Sequence, residues 1–476
     1  MKISSVRLGH ANNSSSTHSI LINSGYKVRQ SDSGDFQYGW DWFHLKDKED
    51  KSKYLAALIY SALSSDMAEE HAGLIARELT GHDPKVEADE GYTYVDHQSV
   101  IAFPKKYGTK HAHHGFLKEF VQYVRDNPKI SIRGGNDNSE DPGDQGYGGG
   151  PRDWSPRNGE MGESHPLNRL NRDNPHARIY GRKDGDWWTV YNREGGAKIR
   201  ISFNDAAKPY LWAPRPELVD VKITDYCPHG CEFCYQSSTT KGKHADVGMI
   251  EKIFWELHRA EVFEVALGGG ETTMHPEFAK ILSIADGQGI TPNFTTFNMA
   301  WTKDKEKVEA VIKHAGSFAV SSIDAFDELK KWNNNRHDTE APEGTLQIPL
   351  GCYPEEQVRQ VIKKAKKEYM PITFLGYKHF GRGEGFAQHP SDWIVDAVTG
   401  PDGLYRFGAD SVFVEQYRDK LKDKGVSEKL MVNAEGAFSC YIDAVTLMIG
   451  PSSYTKEMHR LNDRDIFNMF PYVKTA

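Results

Sequence analysis

Cysteine is scarce in this sequence, with five among 476 residues, too few and too unevenly placed for a disulfide framework. Three of the five, Cys227, Cys231 and Cys234, fall within eight residues, while Cys352 and Cys440 stand alone. Long apolar runs are missing too, and none approaches the length of a membrane span. The N-terminal run MKISSVRLGHANNSSSTHS lacks the apolar core of a signal peptide. Excess positive charge is also absent: a net charge of -8 argues against a broad nucleic-acid surface. A mean hydropathy of -0.64 describes a polar exterior. Clustered thiols in such a chain imply metal chemistry in a reducing compartment, and a cytoplasmic location is expected.

The thiols have a defined setting. Leu218 to Thr224 is short, apolar and β-branched, which predicts a buried strand. The strand delivers the loop DYCPHGCEFCY, with Pro228 and Gly230 shaping it. Thiolates bind soft metals and hold iron–sulfur clusters. A structural cluster usually takes four cysteines, so three in one loop leave one iron without a protein ligand. The competing reading is a structural zinc site in which His229 completes a Cys₃His set.

Cys227-x-x-x-Cys231-x-Phe233-Cys234 resembles the cluster loop of the radical S-adenosylmethionine (radical SAM) superfamily. The resemblance implies a [4Fe–4S] cluster whose open iron chelates SAM. It also implies reductive cleavage of SAM to a 5′-deoxyadenosyl radical that takes a hydrogen atom from a substrate, with an electron donor such as flavodoxin or ferredoxin. The alternative class is a non-catalytic zinc or iron–sulfur protein using the same cysteines.

From Leu218 onward, strands alternate with amphipathic helices. Predicted strands are Phe263 to Leu267, Asn293 to Phe297, Phe318 to Ser322, Leu346 to Leu350 and Ile372 to Tyr377. Helical stripes include Ile250, Ile253, Phe254 and Leu257, and later Val358, Val361, Ile362 and Ala365. This rhythm calls for a parallel sheet. The expected fold is α/β: an incomplete (βα)6 TIM-like barrel of the radical SAM type, with an N-terminal α+β domain and a small C-terminal extension. Such barrels carry chemistry at the C-terminal strand ends. There the sequence places Gly269, Gly270 and Glu271, then Thr296 and Asn298, then Ser322 and Asp324, and finally Cys352. Gly269, Gly270 and Glu271 match the family's GGE motif, whose members bind the SAM amino group, although Thr272 stands where many relatives have proline. Similar positions to Thr296, Asn298, Ser322 and Asp324 contact ribose and carboxylate in the family, and Phe233 flanks the cluster. Strand-end capping is the ordinary alternative for these short polar side chains. Cys352 is expected at the mouth, either as a hydrogen-atom donor to the substrate radical or as a small packed hydrophobe.

The remaining segments are less specific. Residues 1–133 read as a small α/β domain, with helices at Tyr54 to Leu63 and Phe116 to Val124 and a polar Ser/Asn loop at 10–18. His111, His113 and His114 read as a solvated loop. Residues 134–180 are rich in Gly, Pro, Asn and Asp and read as a linker or cover. Residues 181–216 carry a β-hairpin around Glu194-Gly195-Gly196, 217–390 the barrel, and 391–476 an extension with a helix at Val412 to Leu421 and a hairpin turned at Glu435-Gly436. Only Cys440 lies in that extension, which excludes a usual auxiliary cluster. The extra N-terminal domain suggests a peptide or a nucleotide-containing substrate.

Overall fold

The computed structural model describes residues 2–7, 43–45, 47–64, 69–82, 112–126, 132–134, 179–193, 195–339, 341–399, 407–426, 431, 436–461 and 466–470. The expected Ser/Asn loop and most of the 134–180 segment lie outside them. The chain divides into two compact units. Of the described residues, 43–190 and 201–207 fall in the first, and 3–7, 191–200 and 208–470 in the second.

In the first unit, helices Lys48–Ser64, Glu69–Thr80 and Ala112–Asp126 pack together beside a short antiparallel pair, Phe43–Leu45 with Ile132–Gly134. Helix Lys48–Ser64 buries Tyr54, Leu55, Ile59 and Tyr60, and helix Ala112–Asp126 buries Val121 and Val124. The expected loop at His113 and His114 is instead the start of the last of these helices. Glu119 on that helix accepts from Trp188 Nε1 at 2.9 Å. Among the described residues no helix is long and apolar enough to cross a membrane.

The second unit is built on one open ten-stranded sheet. Its strands in chain order are β1 (Leu218–Thr224), β2 (Glu264–Gly269), β3 (Thr291–Thr296), β4 (Ser317–Val320), β5 (Gly344–Pro349), β6 (Ile372–Leu375), β7 (Phe407–Ala409), β8 (Ser439–Asp443), β9 (Met448–Gly450) and β10 (His459–Arg460). The spatial order is 7-6-5-4-3-2-1-8-9-10. β1 to β7 run parallel, and β8 pairs parallel to β1, from Ser439 opposite Leu218 to Asp443 opposite Lys222. β9 and β10 follow antiparallel. The cysteine-bearing strand therefore has neighbours on both sides, one of them from the C-terminal segment. A hairpin joins β8 to β9, where Asp443 accepts the Val445 and Thr446 N–H groups; the expected turn at Glu435-Gly436 lies in part outside the described residues.

Alternation along the strands explains where the core lies. On β1, Val219, Val221 and Ile223 join the apolar core; on β5, Leu346 and Ile348 do so, and on β6, Ile372 and Phe374. Helices Val247–Arg259, Phe278–Gly287, Lys305–His314 and Glu355–Glu368 contribute Ile253, Phe254, Phe278, Ile281, Val311 and Val361 to that same core. The alternate positions are polar and still buried: Asp220 and Lys222, Glu264, Asn293, Ser317, Gln347, Thr373, Tyr441 and Asp443. Fully covered parallel strands usually read as continuous apolar runs. Here one face is apolar and the other is a polar interior. At its lower end Asn293 donates to Glu264 at 3.1 Å and Ser317 to Asn293 at 3.3 Å. Arg200 makes a two-pronged contact with Glu217 at 2.8 and 2.7 Å.

Sequence periodicity supplies no residues for the helix Phe326–Thr339 between β4 and β5, because FDELKKWNNNRHDT carries too few apolar positions to form a stripe. Packing of Phe326 and Leu329 holds it instead, and Asn333 exchanges hydrogen bonds with Gly344 at 2.8 and 2.9 Å, tying it to β5.

Asp410 joins β6 to the helix Ser411–Asp423. Its Oδ1 accepts from the Phe413 N–H as a helix cap and from the Gly376 N–H just beyond β6, both at 2.8 Å. Asp410→Ala is expected to lower the free energy of unfolding by about 1–3 kcal/mol in urea titrations. Asp410→Asn, which keeps an acceptor, should lose less; a loss below about 0.5 kcal/mol for the alanine variant would contradict this role.

Candidate active site

The loop after β1 folds back on its own strand. Asp225 N–H donates to Lys243 at 2.8 Å, Cys227 N–H to Thr239 at 3.0 Å and Ala245 N–H to Ile223 at 2.9 Å. Gly230 turns the chain at a positive φ of 64°. Cys227, Cys231 and Cys234 are half-buried on this loop and all line one cavity of about 210 Å³ at the C-terminal ends of the strands. Burial pushes the Cys227 thiol up, against the backbone N–H groups of His229 and Gly230. Burial, with repulsion from Cys234 and Cys227, pushes Cys231 up to about 11. The three sulfurs thus sense one another electrostatically.

Glu271 is the anchor of the arrangement. It is 4% exposed, and its carboxylate receives five hydrogen bonds. Oε1 accepts from Thr273 Oγ1 at 2.6 Å, Thr296 Oγ1 at 2.7 Å and the Thr273 N–H at 3.2 Å. Oε2 accepts from the Phe297 N–H at 2.8 Å and is 3.3 Å from His229 Nε2. Burial alone would raise its pKa. The bonds from His229, Thr273, Phe297 and Thr296 outweigh burial and hold it below the usual glutamate value. One carboxylate thereby ties the ends of β2 and β3 to the cysteine loop. His229 also stacks on Phe297, with centroids 4.2 Å apart.

The glycines before Glu271 serve the same union. A Cβ on Gly269, where φ is 119°, would lie 2.2 Å from the Thr224 carbonyl oxygen, and one on Gly270 2.2 Å from that of Tyr226. The Gly270 and Glu271 N–H groups donate to those same carbonyls at 2.7 and 2.8 Å. These two glycines are needed because protein backbone lies against them. Gly268 has open space where its Cβ would stand, and it lines the cavity.

The expected residues sort by position. Phe233, Gly269, Gly270, Glu271, Thr296 and Cys352 line the cavity with the three cysteines. Asn298, Ser322 and Asp324 do not. Asn298 caps the Ala300 N–H at 2.9 Å, Ser322 is buried in the chain after β4, and Asp324 is exposed. Strand-end position alone could not separate these from Thr296. Burial pushes the Cys352 thiol up to about 12, aided by repulsion from Cys231. Three cavity-lining atoms, Ser238 Oγ, Thr272 Oγ1 and Gln347 Nε2, are buried with no hydrogen-bond partner among the described residues. Lys378 lies over the rings of Tyr235 and Tyr454 at 4.8 and 4.9 Å and also faces the cavity, as do Tyr441 and Ser453 from the C-terminal segment. Of these, the sequence points only to Lys378, in the stretch 376–383 after the sixth strand that is expected to edge the adenine and offer the substrate polar contacts; the others have partners distant in the chain.

A cluster is compatible with this donor set. Three thiols share one cavity whose wall also holds unpaired polar atoms, and cysteine sulfur is the donor that iron–sulfur clusters take. His229, the fourth ligand of the zinc reading, is engaged with Glu271.

Residues 221–383 match the model of the radical SAM superfamily, and the chain carries a radical SAM domain over that span. Members of that superfamily are enzymes. No curated protein matches the sequence. Among solved structures, Streptococcus suis SuiB bound to precursor peptide SuiA is similar at 12% identity and a TM-score of 0.46, over 63% of this chain and 90% of that one. SuiB bound to S-adenosylmethionine gives 12% and 0.44, over 62% and 87%. BtrN in complex with AdoMet and 2-DOIA gives 9% and 0.28, over 55% and 86%.

Since the folded pKa of Glu271 is depressed, its stabilising contribution is present above the unfolded pKa of about 4.3 and is lost as pH falls through the lower folded value. Glu271→Gln is therefore expected to show a shallower loss of stability than the parent between about pH 5 and 3 in acid titrations of denaturant midpoints. Identical slopes would mean that the carboxylate is not held as described.

Proposed function

We propose that this chain is a radical SAM enzyme in which Cys227, Cys231 and Cys234 hold one [4Fe–4S] cluster. The observation that carries the reading is the placement of all three thiols on one cavity with the Gly269-Gly270-Glu271 tract. When bound, the cluster and SAM supply a 5′-deoxyadenosyl radical for hydrogen-atom abstraction. The chain's own part is to hold, orient and exclude water. Gly268 and the Glu271 carboxylate bound the SAM end. Of the five donors to Glu271, His229 makes the longest contact, so it is the one an ammonium group would most easily replace. Phe233, set edge-on to Tyr353 and Phe386 with centroids at 5.9 and 5.6 Å, shields the thiols from water. The substrate is a peptide or a nucleotide-containing molecule, a reading supported by the additional N-terminal unit. Flavodoxin or ferredoxin is the matching class of electron donor.

Cys352 is assigned a second task. Burial keeps it a neutral thiol, the only form able to give a hydrogen atom. Donation forms a C–H bond on the substrate radical and leaves a sulfur radical, which one electron and one proton from the donor system return to the thiol. With the true substrate, Cys352→Ala should still cleave SAM and abstract hydrogen while its normal product gives way to shunt products. Normal product at the normal rate would reduce Cys352 to packing.

The primary test is anaerobic reconstitution followed by chromatography for 5′-deoxyadenosine under a strong reductant. The parent protein should be brown and form it. Alanine at any one of the three loop cysteines should abolish both colour and product, because two thiolates hold a cubane poorly. A colourless parent with one tightly bound zinc would instead establish a non-catalytic metal protein.

A further inference from the structure

A second clamp reaches the cysteine loop from the turn after β6. Arg382 lies in the turn Gly381–Gly385 after β6. Its Nε donates to the Cys231 carbonyl and its Nη1 to the Ser238 carbonyl, each at 3.0 Å, and its backbone N–H donates to the Cys234 carbonyl at 3.1 Å. The turn is pressed against the loop: a Cβ on Gly381 would lie 2.5 Å from both the Tyr235 carbonyl oxygen and Ser237 Oγ. Tyr377 braces the turn from behind by donating to the Gly383 carbonyl at 2.6 Å.

The charge of Arg382 is as informative as its fork. The side chain is half-buried, its hydrogen bonds go to loop carbonyls, and among the described residues no carboxylate pairs with it. Removing part of a guanidinium's water is costly unless an anion stands near. Its fork and backbone N–H hold the carbonyls of Cys231, Cys234 and Ser238, so the charge stands beside the loop that carries the thiols. A guanidinium is planar and holds two acceptors in fixed directions, which a lysine ammonium cannot do.

We propose that Arg382 is a positioning residue for the cluster: its fork fixes the loop from Cys231 to Ser238, and its charge favours the more negative redox state of the group held by the thiolates. The proposal rests on the cluster reading above and assigns a role outside the thiols and the glutamate. It predicts that fork and charge can be separated by substitution.

The test uses the full chain, reconstituted anaerobically with iron and sulfide, as parent, Arg382→Lys and Arg382→Met. Three quantities are read: iron loss to a chelator, the midpoint potential followed by electron paramagnetic resonance, and thermal unfolding before reconstitution. Arg382→Met should lose iron about tenfold faster or more, as expected for broken charge-assisted bonds, and should show a lower midpoint. Arg382→Lys should recover the midpoint while still losing iron faster than the parent. If Arg382→Met matches the parent in both, the proposal is overturned while the cluster reading stands. If Arg382→Met fails to fold, Arg382→Lys decides: parental iron retention in that variant overturns the role of the fork. A parent that takes up no cluster overturns both readings together.

Discussion

The site depends on a single buried carboxylate that is never left short of donors. Glu271 sits at the end of β2, and its five hydrogen bonds draw on its own turn, the end of β3 and the cysteine loop. A charge buried to this degree is costly unless such bonds are complete. The bonds can be complete only when all three segments are in register. Close approach of backbone at Gly269 and Gly270 completes the join. The geometry of the thiols is thus set by strand ends and not by the loop alone. Arg382 meets the same loop from the turn after β6, so the loop is tied to two distant strands of one sheet.

The sheet itself has two unlike faces, and function follows from the difference. Helices cover the apolar face and provide rigidity. The buried polar face would be hard to explain in a filled barrel, where branched aliphatic side chains usually occupy the interior. Here a network through Arg200, Glu217, Glu264, Asn293 and Ser317 occupies its lower part. Above it, Lys222 pairs with Asp443 at 3.2 Å and Gln347 keeps an unsatisfied amide. Pairing of β8 with β1 puts Tyr441 and Asp443 beside the cysteine strand, so the C-terminal segment contributes wall to the cavity.

Much of this was legible in the residues, for local reasons. β1 spans the same Leu218–Thr224 that its β-branched run predicts, and the helices with a clear apolar stripe lie where their spacing puts them. What was not legible depends on contacts between distant parts of the chain. Nothing local pairs Ser439–Asp443 with Leu218–Lys222. The polar helix Phe326–Thr339 is held by packing that its own sequence does not signal. Thr296 and Asn298 are short polar residues two apart, yet one lines the cavity and the other caps a turn. Arg382 falls in the stretch 376–383 that the sequence offers to adenine and substrate, yet its side chain bonds the carbonyls of the cysteine loop.

The central claim is that three thiols hold four irons and leave one of them open to a ligand. Mössbauer spectroscopy of the iron-57 protein, reconstituted anaerobically and measured with and without S-adenosylmethionine, tests it most directly. The account predicts a [4Fe–4S] spectrum in which one iron of the four changes its parameters when S-adenosylmethionine is added. Absence of such a cluster, or four irons indifferent to S-adenosylmethionine, would contradict it.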